Sequence, residues 1–194
     1  MSKIIYLLVC IPLILAGCST LQIPKQTEFS FEQGMDGWVA QGTDLSNPAV
    51  EWSIERSGDM ASEGDTSLKV YLNNLNDAGK IWIQRPFDVD SDSYYQVHVD
   101  YDFASADYGD LNLWTIITGA VLGPPTKADE LVYQRDTGNG ADKDEGYKWL
   151  HKTYTFDMRT GPEKEIYVIM GVWGTWETAR TYYIDNVKIT TVKS

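Results

Sequence analysis

Apolar and polar residues alternate most cleanly at 94–104. Tyr95, Val97, Val99, Tyr101 and Phe103 fall on one face, and Gln96, His98, Asp100 and Asp102 fall on the other. A period of two marks a strand with one face in a core and the other toward water or a ligand. The preceding segment follows the same rule: Ile81, Ile83 and Phe87 share a face and leave Trp82 and Gln84 on the reverse. Short runs rich in β-branched and aromatic residues predict strands at 28–31, 38–41, 50–56, 67–73, 81–89, 94–104, 113–122, 149–157, 166–172 and 181–192. Turn-forming clusters separate them, among them Gly34-Met35-Asp36-Gly37, Glu63-Gly64-Asp65 and Asp90-Ser91-Asp92-Ser93. From residue 28 onward no stretch carries a convincing helical period. The pattern therefore predicts an all-β fold, a two-sheet antiparallel jelly-roll sandwich. The connection at 123–148 breaks the regular spacing. It holds Pro124-Pro125 and a glycine-rich acidic stretch at 136–146, and loops of that length are often functional.

The first residues obey a different pattern. Lys3 precedes an apolar run that closes on Leu15-Ala16-Gly17-Cys18. A basic start, a short apolar core and a small-residue cleavage site make a secretion signal. The run is too short for a comfortable membrane span of about 20 residues. Leu15-Ala16-Gly17-Cys18 resembles the lipobox of bacterial lipoproteins. The resemblance implies cleavage before Cys18, a diacylglycerol on its sulfur and a lasting membrane anchor. With Ser19 next in the chain, it further implies the outer membrane if the source is Gram-negative. The expected organisation is a leader at 1–17, a lipidated cysteine and tether at 18–27, and one domain at 28–194.

Cys10 and Cys18 are the two cysteines of the chain. One leaves with the leader and the other carries lipid, so the domain is expected to hold neither a disulfide nor a thiol nucleophile. The formal net charge of −12 argues against nucleic acid as a partner. A neutral polysaccharide is the easier partner electrostatically. An acidic one requires a local basic patch or calcium bridges.

One acid stands out. Asp185 lies inside the apolar segment Tyr182-Tyr183-Ile184-Asp185-Asn186-Val187. A carboxylate buried there must be paired, hydrogen-bonded or bound to a metal. Glu32, in Phe29-Ser30-Phe31-Glu32, is its candidate partner if the two ends of the domain meet in one sheet.

Four ordered segments carry a further likeness: Phe31-Glu32-Gln33-Gly34 through Gly37-Trp38, Gly64-Asp65-Thr66-Ser67-Leu68, Phe87 through Tyr94-Tyr95, and Tyr183-Ile184-Asp185-Asn186-Val187. Together they resemble the carbohydrate-binding modules of families 4 and 9 and the wider galactose-binding-like fold. The resemblance implies a structural calcium (Ca2+) held by Glu32 and Asp185, with oxygens near Asp65 and Thr66 completing the shell. It also implies a carbohydrate polymer as ligand, bound across a sheet face or in the loops at its rim. Flat aromatics meet sugar rings, and amides or acids meet hydroxyls. The candidates are Trp82, Gln84, His98, Asp100, Trp114, Trp173 and Trp176, although core packing competes for any single tryptophan. Trp173-Gly174-Thr175-Trp176 sets two indoles around one turn.

Catalysis has less behind it. His98 and Asp100 share a strand face, which suits general acid–base chemistry in a small polysaccharide hydrolase or lyase. No nucleophile elbow, HExxH motif or paired-cysteine metal pattern accompanies them. A third reading is a lipoprotein that docks a protein partner in the cell envelope.

Overall fold

The structure, a computed structural model, describes residues 23–106, 114–136, 146–174 and 178–194. Cys18 and Trp176 lie outside the described residues. The strands are β1 (Lys25–Phe29), β2 (Val39–Thr43), β3 (Glu51–Ser57), β4 (Ser67–Asn73), β5 (Lys80–Asp88), β6 (Tyr94–Ala106), β7 (Trp114–Val121), β8 (Gln134–Asp136), β9 (Tyr147–Arg159), β10 (Glu165–Gly174) and β11 (Ala179–Lys193). A 3-10 turn, Ala128–Glu130, precedes β8.

The strands form two antiparallel sheets. One runs β3-β4-β11-β6-β9, with β1 also on β11, and the other runs β2-β5-β10-β7-β8. β6 occupies one edge of β11, so β1 and β4 share the other edge end to end. The two ends of the domain thus meet in one sheet, as the Glu32–Asp185 pairing required. β1 begins at Lys25, inside the stretch expected to be tether, because Phe29 is drawn into the core opposite Val187.

The expected alternation holds in β6. Tyr95, Val97, Val99, Tyr101 and Phe103 are buried against Ile116, Val168, Met170 and Val172 of the facing sheet. Trp114 stacks on Phe103 at 5.6 Å and meets Tyr182 at 4.7 Å between ring centroids. Tyr101 satisfies its hydroxyl in the dry interior by a 2.6 Å hydrogen bond to Thr118. At the other end Phe29, Trp38 and Phe87 pack edge to face, with the Arg85 guanidinium over Phe29 and Phe87.

Two features depart from the sequence expectation. β5 and β6 follow one another but lie in different sheets, so Trp82 and Gln84 point away from the opposite face of the sandwich to His98, Asp100 and Asp102. The connection after β7 also folds back across the outside of the five-stranded sheet. There Leu131 covers Trp82, Ile117 and Ile169 in a second small core. Part of that connection, β8, extends the sheet beside β7.

Candidate functional site

Asp185 is fully buried at the point where β11 slips register against β6, and Asn186 after it takes a left-handed backbone (φ 49°). Its carboxylate is satisfied by backbone. Oδ2 accepts the amides of Ser62 (2.8 Å) and Glu63 (3.1 Å), and Oδ1 accepts that of Asn186 (2.7 Å). Glu32 grips the same loop from the other side, its Oε1 accepting the amides of Asp65 (3.0 Å) and Thr66 (2.9 Å). Those bonds hold the Glu32 carboxyl below its usual value. Gly64 between them has φ +70°, and a Cβ there would come 2.4 Å from Glu32 Oε1, so the grip requires glycine. The two acids therefore meet through the loop at 62–66.

Calcium wants six to eight oxygens turned toward it. Here three of the four carboxylate oxygens, Glu32 Oε1 and both of Asp185, accept from N–H groups. The carbonyls of Phe31 and Glu32 both accept hydrogen bonds from Arg56, whose Nη2 also reaches Thr66 Oγ1 at 3.4 Å. Asp65 contributes its amide, and Thr66 turns its hydroxyl to the Phe31 carbonyl. Among the described residues, no three His, Cys, Asp or Glu side chains converge as a metal site. As arranged, Glu32, Asp65, Thr66 and Asp185 do not fit the ion, because a guanidinium already supplies the positive charge. Thermal unfolding is expected to agree within about 1 °C in millimolar calcium and in excess chelator. A resident ion would raise it by several degrees through mass action.

The outer face of the six-stranded sheet separates His98 from Asp100. His98 Nδ1 is hydrogen-bonded to Thr155 Oγ1 at 3.0 Å, while Asp100 accepts from Thr153 at 2.8 Å. The contact between an acid and an imidazole is one the sequence reading missed. β6–β9 pairing sets Asp102 opposite His151, whose Nδ1 lies 2.9 Å from Oδ1. Asp102 also accepts from Ser62 Oγ and Asn186 Nδ2. Burial pushes its carboxyl up, but the bonds from Ser62, His151 and Asn186 outweigh burial and leave it below the usual value.

Asp185 goes the other way, raised chiefly by burial. A lowered acid such as Asp102 stabilises the fold above its unfolded value, and that stability is lost as pH falls through the folded one. A raised acid such as Asp185 is favourable at low pH and loses that contribution as pH rises through its folded value. Among the described residues lowered acids are the more numerous, with Glu32, Asp59, Asp90, Asp102 and Glu130 against Asp185. Denaturant midpoints are expected to fall below the ordinary carboxylate range, with a shallower fall in Asp102→Asn.

On the five-stranded sheet, burial removes several predicted ligand residues. Trp114 belongs to the main core at 2% exposure. Trp82 is fully buried beneath the returning connection. Gly171 opposite it lets β10 approach β5 closely, since a Cβ there would lie 2.1 Å from the Ile81 carbonyl oxygen and 2.7 Å from Trp82 Cβ. Trp82 Nε1 donates to Gln84 Oε1 at 3.0 Å, so the pair is internally satisfied. Neither face of these rings is open to a ligand.

Trp173 is partly exposed at the end of β10, its Nε1 fixed by the Asp77 carbonyl at 2.9 Å. Cross-strand pairing lines up Trp82, Gly171, Ile117 and Arg135 in one row and Lys80, Trp173 and Thr115 in the next. Lys80 Nζ and the Arg135 guanidinium each lie 4.7 Å from the Trp173 ring, and Tyr133 stands beside Arg135 at 5.9 Å. Around them opens a pocket of about 530 Å³, floored by Ala128 and Leu131. Tyr133 and Arg135 come from the long connection. Their signal in the sequence was the apolar triplet Leu131-Val132-Tyr133 inside an otherwise turn-rich stretch. A larger hollow of about 660 Å³ beside Pro124, Pro125 and Met158 is mostly apolar. At its rim the Thr126 hydroxyl and amide both bond to Glu130.

No protein-family model matches the sequence, and no curated protein matches it. Solved structures do. TmCBM27, a carbohydrate-binding module studied for specific mannan recognition, is similar with a TM-score of 0.51 at 19% identity, over 87% of this chain and 98% of its own. A chain from work on carbohydrate-binding modules of the β-sandwich superfamily reaches 0.53 at 15% identity, over 82% of this chain and 59% of that one. The fold is theirs. The K2 cleaved adhesin domain of Lys-gingipain has it too, with a TM-score of 0.51 at 13% identity over 84% of this chain and 97% of its own. At such identities the likeness speaks for the jelly-roll sandwich. The finer placement with families 4 and 9 rests on the sequence segments alone.

Proposed function

We propose that this chain binds carbohydrate without cleaving it, from a lipid anchor at Cys18 in the bacterial cell envelope, with the ligand in the pocket beside Trp173. The observation that carries the reading is that pocket: an open hollow on a sheet face where an aromatic wall meets side-chain donors. The fold shared with carbohydrate-binding modules supports it. The polar cluster on the opposite face offers little to a hydrolase. Ser62 donates to Asp102 rather than to His151, and both Asp102 oxygens are engaged, so no nucleophile is activated. Affinity gel electrophoresis of the full-length chain, in a detergent without sugar head groups, tests the reading. Retardation by at least one polysaccharide and its loss in Trp173→Ala are expected. Mobility unchanged across a broad panel would favour the second reading, protein docking, which the adhesin-domain likeness supports. Cys18→Ser is expected to abolish labelling by a fatty-acid probe.

A further inference from the structure

The summed charge of the chain points to a neutral glycan, and the pocket beside Trp173 points elsewhere. Resting on the proposed carbohydrate site, we infer that its ligand is an acidic polysaccharide, a uronan whose carboxylate is gripped by Arg135. Three observations converge on it.

The pocket lining holds two cations, Lys80 and Arg135, and no carboxylate, in a chain with a formal net charge of −12. Lys80 is paired with Asp44, so the charge left for an anion is that of Arg135, a local attraction inside an otherwise negative surface. Next, both cations lie against the Trp173 ring. That ring is therefore occupied as a cation holder, and a neutral sugar finds its face already covered. Finally, the donors are unequally spent. Lys80 gives its ammonium to Asp44 at 3.2 Å and to the Ala78 carbonyl at 2.9 Å. Arg135 is exposed and, among the described residues, has ring contacts with Tyr133 and Trp173 but no acceptor for its guanidinium. A planar guanidinium fork held over an indole is pre-organised for the two oxygens of a carboxylate. Tyr133 beside it is the aromatic left to meet the sugar ring.

The test is affinity electrophoresis of the full-length chain in gels containing polygalacturonate, alginate, mannan, xylan or dextran sulfate. Comparison is with Arg135→Gln, Arg135→Lys and the distant exposed control Lys25→Gln. One of the uronans is expected to retard the protein most. Arg135→Gln should weaken that binding by about tenfold or more, Arg135→Lys should recover only a minor part, and Lys25→Gln should match the parent. The binding should also weaken with added salt. Preferential retardation by mannan or xylan, unchanged in Arg135→Gln, overturns the acidic ligand and leaves the carbohydrate reading standing. Equal retardation by dextran sulfate, with Arg135→Lys as good as the parent, overturns the carboxylate grip in favour of bare charge attraction. Retardation by none of the polymers overturns this inference and the proposed function together.

Discussion

Replacing Asp185 by asparagine is expected to lower the unfolding temperature by about 3–10 °C. The group is fully buried and accepts three backbone amides at 2.7–3.1 Å. In asparagine one oxygen becomes an NH2, so at least one of those N–H groups faces another donor with no water to replace the lost bond. Hydrogen bonds to an ionised acceptor contribute roughly 1.5–3 kcal/mol each, and stranding buried donors costs about 1–3 kcal/mol more. Neutralising the group returns some desolvation energy, since burial raises the Asp185 carboxyl. Burial outweighs the three amides in setting that carboxyl, so the net cost is that of the stranded N–H, about 1–3 kcal/mol. The effect should reach beyond β11, because Ser62 and Glu63 anchor the loop that Glu32 holds from the other side. Amide exchange at 62–66 should therefore quicken in the variant. An unchanged midpoint with unchanged exchange would show that the loop stands without Asp185.

Trp114→Ala is expected to cost about 3–5 kcal/mol, the range for emptying a buried aromatic site. The indole, on the five-stranded sheet, packs against Phe103 and Tyr182 of the six-stranded sheet, so its loss opens a cavity where the sheets meet. Its Nε1 has no partner among the described residues, so the deletion removes one unsatisfied group, a small offset. Trp173→Ala should behave in the opposite manner. Partly exposed and held by one backbone carbonyl, that ring can be lost for about 1 kcal/mol of stability or less, while the pocket loses its wall. Chemical denaturation of both variants beside glycan binding separates the two roles. Near-parent stability in Trp114→Ala together with lost binding would return that residue to the ligand site where the sequence pattern had placed it.

How much was legible can be traced residue by residue. The alternation over 94–104 predicted β6 with the correct face inward, and the predicted strand at 67–73 coincides with β4. Asp185 announced its need for partners simply by being a carboxylate in an apolar strand. What could not be read was the nature of those partners, since backbone amides carry no sequence signature. The pairing of Trp82 and Gln84 with His98 and Asp100 failed for a related reason. Periodicity says which face of a strand is turned from the core, not which sheet the strand joins, and β5 and β6 joined different ones.

The sequence by itself determined the all-β class, the inward faces of the strands and the demand that Asp185 be satisfied, because each depends on local chemistry and a short period. Only the tertiary structure decided the rest. It folded the connection back over Trp82 and put the Arg56 guanidinium at the carbonyls beside Glu32. It also brought Arg135 to Trp173 across strands nearly forty residues apart in the chain. Net charge is a sum over the chain, but a ligand meets only the charges that packing gathers in one place. The acidic protein therefore carries a basic pocket.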